Sequence, residues 1–252
     1  LSLQIPLFGV YGACSTMGES MGIAAMIVEG GFADHVLALT SSHFASAEKQ
    51  FRFPLGYGSQ RKMASTWTVT GSGAVIISSE RMAQKANMSD KNKVHITGIT
   101  TGKIVDFGVK DSMNMGACMA PAAGNVIVQN LIDNGRKPEW YDKIITGDLG
   151  LVGKDILLDI TRSKGYDIAD RYMDCGIEIY SREQEIQAGG SGCGCSASML
   201  AGYIVKMLEK GTWQRVLFVP TGALLSPVSF NEGDSVPGIA HAVVFECSGE
   251  SQ

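Results

Sequence analysis

"CSTMGESMGIAAMIVEGGFADHVLALT", residues 14–40, returns 181 positions later as "CSASMLAGYIVKMLEKGTWQRVLFVPT", residues 195–221, without a gap. Cys14 meets Cys195, Ser15 meets Ser196, Met26 meets Met207, Gly30 meets Gly211 and Thr40 meets Thr221. Each copy reads as an apolar helix (15–29 and 196–210), a glycine stop and a short apolar strand, Val36–Leu39 or Val216–Val219. A gapless match of this length marks an internal duplication. Both helices are apolar round their circumference. That predicts burial on all sides, with the two helices antiparallel at the centre of the molecule about a pseudo-two-fold axis.

The duplication extends outward. "GSGAVII" from Gly71 resembles "IAHAVVF" from Ile239, two closing strands, and this comparison sets His241 at the position of Gly73. The second copy begins near Lys93, after the polar "NMSDKNK" (87–93), and carries about 100 residues before Cys195. The first has 13 residues before Cys14. The expected organisation is therefore 1–92, the remainder of a first half whose front is missing from this chain, and 93–252, a second half. The opening Leu in place of Met agrees with a fragment, and the missing front predicts an exposed, aggregation-prone sheet edge. Within the second half, "KVHITGITTGKI" (93–104) and "YDKIITGD" (141–148) read as strands, the latter leading into a loop, and "MGACMAPAAGNVIVQNLIDNG" (115–135) as a helix ended by Gly135. Apolar strands alternating with buried helices predict a layered α/β fold.

Composition narrows the function. The chain has 252 residues, 45% hydrophobic, 18% charged, with 31 glycines and a net charge of −4. The acidic balance argues against a general nucleic-acid or anionic-membrane binder. Six cysteines without disulfide or zinc-ligand spacing point to a reduced, intracellular setting. Two long uncharged stretches, Ser112–Ile132 and Ala188–Val205, are broken by polar residues, Gly or Pro and read as core. "GSGAV" and "GGSGCG" lack the strand, turn and ribose-binding acid of a dinucleotide site and read as close-packed turns.

"YGACST" (11–16) puts a thiol where a strand gives way to a helix. Unpaired N–H groups and the helix dipole stabilise a thiolate at such a joint. Cys14 is therefore expected to alkylate faster than Cys118, Cys175 or Cys247, with Cys195 at the same helix-start position but more enclosed.

The cysteine-led helix in a duplicated α/β half resembles the thiolase and ketoacyl-synthase superfamily. Eight stretches in order resemble one of its families more closely, the stage V sporulation protein AD family: "YGACST", "TSSHFASAEKQFRFPLGYG" (40–58), "TVTGSGAVIIS" (68–78), "MGACMAPAA" (115–123), "ITGDLGLVG" (145–153), "AGGSGCGCSA" (188–197), "PTGALLSP" (220–227) and "IAHAVVFE" (239–246). The resemblance implies α-β-α-β-α layers with two duplicated halves. It also implies binding of dipicolinate (pyridine-2,6-dicarboxylate), a part in moving it into the developing spore beside membrane proteins of the dipicolinate channel, and a place peripheral to the spore inner membrane. A homodimer is expected, with no cofactor beyond Ca²⁺ carried with the ligand and no nucleic acid. Two alternatives are an acyltransferase using Cys14 and a non-catalytic scaffold of a membrane transport complex.

Condensing enzymes of the superfamily supply His/His or His/Asn from two second-half loops. The resemblance places Asp148 beside the first histidine's position and Ser191 at the second's, so Cys14 keeps the nucleophile's place without its partners. His43 follows the strand after the first central helix, and His241 lies beside a closing strand; both are expected near Cys14, whereas His35 and His95 read as structural. A flat dianion calls for cationic forks and an aromatic wall. Lys49, Arg52, Arg61 and Lys62, among Phe51, Phe53 and Tyr57, offer both. Arg52 is the expected carboxylate clamp and Tyr57 a wall residue. Asp148 and Glu48 are the carboxylates available to Ca²⁺, though their spacing matches no cation loop.

Overall fold

The computed structural model describes residues 4–46, 62–85 and 93–248. Its centre is a five-stranded sheet of β4 (Val94–Thr100), β5 (Lys143–Thr146), β6 (Tyr172–Asp174), β8 (Arg215–Val219) and β11 (Ala242–Cys247), in the spatial order β4-β11-β8-β5-β6. β5 runs parallel to β6 and β8, while β11 is antiparallel to both β8 and β4. The inner strands β8 and β11 read as apolar runs because both faces are covered, whereas the edge strand β4 alternates with polar residues. Leu217, Val219, Ile144 and Val244 join one core with α3 (Met115–Asp133) and α4 (Gly150–Ser163). Val216, Phe218, Ile145 and Val243 join another with Met17 and Met21 of α1 (Thr16–Glu29) and with the second central helix.

That second helix is a continuous rod of three pieces: α6 (Cys193–Met199), a π-helical segment (Leu200–Ile204) and α7 (Val205–Glu209). It packs against α1 and against a second sheet, the antiparallel pair β1 (His35–Ser42) and β3 (Gly71–Ser78). The described residues thus stack as α-β-α-β. A fifth layer would lie on the outer face of β1–β3, where Leu39 and Ile76 are exposed. Ile23 and Met26 of α1 are also exposed, so that helix is less enclosed than its apolar circumference predicts.

The internal repeat is visible in the strand pairing. Thr40 pairs with Gly73, and its counterpart Thr221 pairs with Ala240. This corrects the sequence comparison by one residue: Ala240 takes the place of Gly73, and His241 that of Ala74. The strand that is continuous in β1 is broken at Pro220 into β8 and β9 (Thr221–Ala223), whose partner is β10 (Gly238–Ala240). Both central helices end in the same hydrogen-bonded loop. In the first copy Gly31, at φ 73°, takes the left-handed position rather than Gly30; in the second it is Gly211, at φ 71°. α3 ends as expected before Gly135 (φ 58°), and its apolar length is mostly buried.

Gly73 has no room for a side chain, since a Cβ there would press on the backbone of Ala197 in α6. Gly202, in the π segment, has open space. Gly73→Ala should therefore destabilise the fold by about 1–3 kcal/mol through backbone displacement, whereas Gly202→Ala should be neutral or stabilising. Urea unfolding midpoints of the two variants check the contrast.

Candidate functional site

The turn before α1 is built to present Cys14. Ala13 sits in the left-handed region at φ 51°, a conformation that costs free energy in any residue with a side chain. Hydroxyl groups hold it there. Ser15 donates its N–H and its Oγ–H to the Gly12 carbonyl at 3.0 and 2.6 Å, and Thr16 Oγ1 donates to the Ala13 carbonyl at 2.6 Å. Gly222, between β9 residues of the second half, lies so close that a Cβ would meet the Gly12 carbonyl. Cys14 emerges partly exposed, with Tyr11 as its exposed neighbour.

Behind the thiol stands Asp148, just past the end of β5 and only 1% exposed. The parallel pairing of β5 with β8 puts it opposite Thr221. The Thr221 hydroxyl donates to Asp148 Oδ1 at 2.8 Å and accepts the Asp148 N–H at 3.2 Å. Gly192 donates its N–H to Oδ2 at 2.9 Å. The Cys14 thiol lies close enough for both the carboxyl and the Gly192 N–H to act on its ionisation. Gly192 follows Ser191 of β7 (Gly190–Ser191), which pairs with β2 (Trp67–Thr68), and its φ of 101° turns the N–H inward. A second buried carboxyl, Asp174, is satisfied differently. Its oxygens accept from Thr146 Oγ1 and from the N–H groups of Leu149, Gly150 and Ile177 at 2.7–3.1 Å, fastening the Asp148 loop to α5 (Cys175–Glu178).

The structure sets Asp148 beside Cys14, and places Ser191 next in the chain to Gly192, whose N–H serves Asp148. His43 does not join them: it is exposed, and its Nδ1 accepts from the Ala45 N–H at 3.1 Å. The strand leading to it does reach the site, since Thr40 Oγ1 donates to the Cys193 carbonyl at 2.9 Å and Cys193 Sγ to the Ser41 carbonyl at 3.1 Å. His241 is committed elsewhere, its Nδ1 accepting from Gly102 N–H at 3.2 Å. The burial that accompanies this contact holds its imidazole below the usual histidine range. Lys62 pairs with Asp111 at 2.9 Å. Arg52, Tyr57, Glu48, Lys49, Phe51, Phe53 and Arg61 lie outside the described residues. Among the described residues no group of three His, Cys, Asp or Glu side chains is arranged to hold a metal ion.

Three participants escape the sequence reading. Cys193, not Cys195, begins the second central helix; Cys195 is fully buried one turn in, its Sγ on the Gly147 carbonyl at 3.7 Å. Thr221 could have been found, since it repeats Thr40: the Thr40 hydroxyl holds the Cys193 carbonyl of the other half, and the Thr221 hydroxyl holds Asp148 within its own. Phe44 and Trp67 stack at 4.6 Å between centroids and 9° between planes, on segments that flank the Ser191 loop.

The electrostatics reverse the expectation for the thiol. Burial, then the charge of Asp148, pushes Cys14 well above the ordinary thiol value, and the Gly192 N–H offsets only part of this. Burial likewise raises Asp148 to about 7, opposed by the Gly192 and Thr221 hydrogen bonds. The helix start is present, but burial and then the neighbouring carboxyl outweigh it.

A cysteine-led helix between a mixed five-stranded sheet and an antiparallel strand pair is the arrangement of the thiolase and ketoacyl-synthase fold. Solved structures with this fold include AbyA1, a tetronic acid condensing enzyme (TM-score 0.53, 14% identity, 93% of this chain), and 3-oxoacyl-[acyl-carrier-protein] synthase III from Aquifex aeolicus VF5 (0.52, 14%, 93%). Cerulenin-bound Xanthomonas OleA is another (0.55, 13%, 94%). Within that class the chain belongs to the Stage V sporulation protein AD (SpoVAD) family, whose sequence profile matches residues 1–246. Stage V sporulation protein AD of Bacillus subtilis (strain 168) is 46% identical over 247 residues, 98% of this chain and 70% of that protein. The chain spans 62–66% of the three solved chains, less than two thirds of each.

Two outcomes follow from the site's charges. At pH 7 iodoacetamide should label Cys247, partly exposed and with a smaller upward shift, before Cys14; mass spectrometry of tryptic peptides reads the order. The folded Asp148 binds its proton more tightly than an unfolded aspartate, at about 7 against 3.8. Its favourable contribution is therefore full below about pH 4 and lost as the pH rises through about 7. Urea midpoints between those limits should fall less in Asp148→Asn than in the parent.

Proposed function

We propose that this chain binds dipicolinate at the Cys14 site and does not carry out acyl transfer there. The observation that carries the reading is the set of groups around the thiol. A condensing or thiolytic cycle needs a base for the thiol proton and neutral or cationic donors for a developing oxyanion. Here the thiol's partners are a buried carboxyl and a single backbone N–H, with no histidine among the described residues in hydrogen-bond contact. Family membership and the stretch 43–62, with its arginines and aromatics, support a flat dianion as ligand. The Phe44–Trp67 stack adds an aromatic surface close to the Ser191 loop. In this reading the protein serves dipicolinate uptake into the forming spore, as a homodimer beside membrane partners, and Ca²⁺ arrives only with the ligand.

A second reading is acyl transfer through Cys14, favoured by the condensing enzymes among the solved structures of this fold. Turnover of an acyl-coenzyme A that is abolished by Cys14→Ala would establish it and overturn the first.

Calorimetric titration with dipicolinate tests the binding reading. A charge-assisted hydrogen bond is worth about 1.5–3 kcal/mol, so Arg52→Ala should weaken binding roughly ten- to hundredfold. Cys14→Trp should block it sterically while leaving circular dichroism unchanged. Unchanged affinity in both variants places the ligand elsewhere and favours the scaffold.

A further inference from the structure

We propose that an anion is held beside Cys14 only together with a proton on Asp148, so that Asp148 selects the charge state the site accepts. This rests on the binding reading above and adds to it which ionisation state of site and ligand is taken.

The geometry is an acid enclosed among acids. Among the described residues, the titratable groups that act on Asp148 and the thiol are Tyr11 and Cys14 from the turn before α1, Asp174 and Cys175 from β6 and α5, and Cys193 and Cys195 from α6. Each of these is neutral or negative. Among the described residues no Lys, Arg or His forms an ion pair with Asp148. The two buried carboxyls are not equivalent. Asp174 accepts four hydrogen bonds spread over both oxygens, and three of the donors are backbone N–H groups that stay in place. Asp148 accepts from one hydroxyl and one N–H, with the thiol as its remaining neighbour. It is the less stabilised anion and the natural holder of the proton.

Cys14 is the partly exposed member of the pair and Asp148 the buried one, so a ligand meets the thiol and feels the carboxyl through it. Two negative groups on either side of one sulfur repel in a water-poor setting. Protonation of Asp148 removes that repulsion and leaves the Cys14 hydrogen for the ligand's carboxylate, while Gly192 goes on donating to Asp148. Asp148 is thus a positioning residue that acts through Cys14, and its signature is a pH profile.

The test is titration of the full chain with pyridine-2,6-dicarboxylate from pH 6 to 8.5, in buffers of different ionisation enthalpy. The parent protein should take up close to one proton per ligand at pH 8, and its Kd should rise by up to about tenfold per pH unit above neutrality. In Asp148→Asn the slope should vanish, and affinity at pH 8.5 should exceed the parent's by about ten- to thirtyfold. That variant should also alkylate at Cys14 faster than the parent at pH 8, because its thiolate has lost the opposing charge. Binding with a flat pH profile and no proton uptake overturns this inference and spares the dipicolinate reading. No binding at any pH overturns both. Should Asp148→Asn not fold, proton uptake by the parent decides alone.

Discussion

Gly222 lies against the carbonyl of Gly12, and Gly194 against the carbonyl of Gly71 and the backbone of Ser42. These contacts of backbone on backbone bring the two copies of the repeat together, and everything at the site depends on them. A side chain at Gly222 or Gly194 would part the strand of one copy from the helix start of the other. With the approach intact, each copy's helix start faces the other's strand end. Thr40 then holds the Cys193 carbonyl, and Thr221 holds the carboxyl behind Cys14.

The same closeness sets the site's electrostatics. Dense packing excludes water from Asp148, and its hydrogen-bond donors do not compensate fully for the lost hydration. The thiol then loses the advantage that its helix position gives. Burial raises Asp174 too, but four hydrogen-bond donors oppose the shift there. The contrast between the two aspartates makes the Cys14 site one in which charge is balanced by protons rather than by cations among the described residues.

Local geometry at the thiol is strained and then secured. The left-handed Ala13 is a costly conformation, held by Ser15 and Thr16 hydroxyls that belong to the "CST" of the sequence. A fold with no use for the exposed thiol could have closed this turn with glycine. The π segment in the second central helix has no counterpart in α1, so the two copies have diverged within their helices while keeping the strand register.

Periodicity and repetition in the sequence determined the duplicated α/β plan, the helix over 115–133, the glycine terminators and the strands of the second half, because these follow from local backbone preference and from which faces are apolar. The approach of Asp148 to Cys14 was legible only through resemblance, since residues this far apart in the chain carry no local signal of contact. Tertiary structure decided the rest. Strand register moved His241 one place from the position that linear comparison gives it, because a β-pair is aligned by hydrogen bonds and not by side-chain likeness. The helix start in the second half fell on Cys193 and enclosed Cys195, because the turn at Gly192 determines where helical hydrogen bonding begins. The reversal of the thiol's acidity came from burial beside a carboxyl, a property of the assembled interior that no stretch of sequence contains.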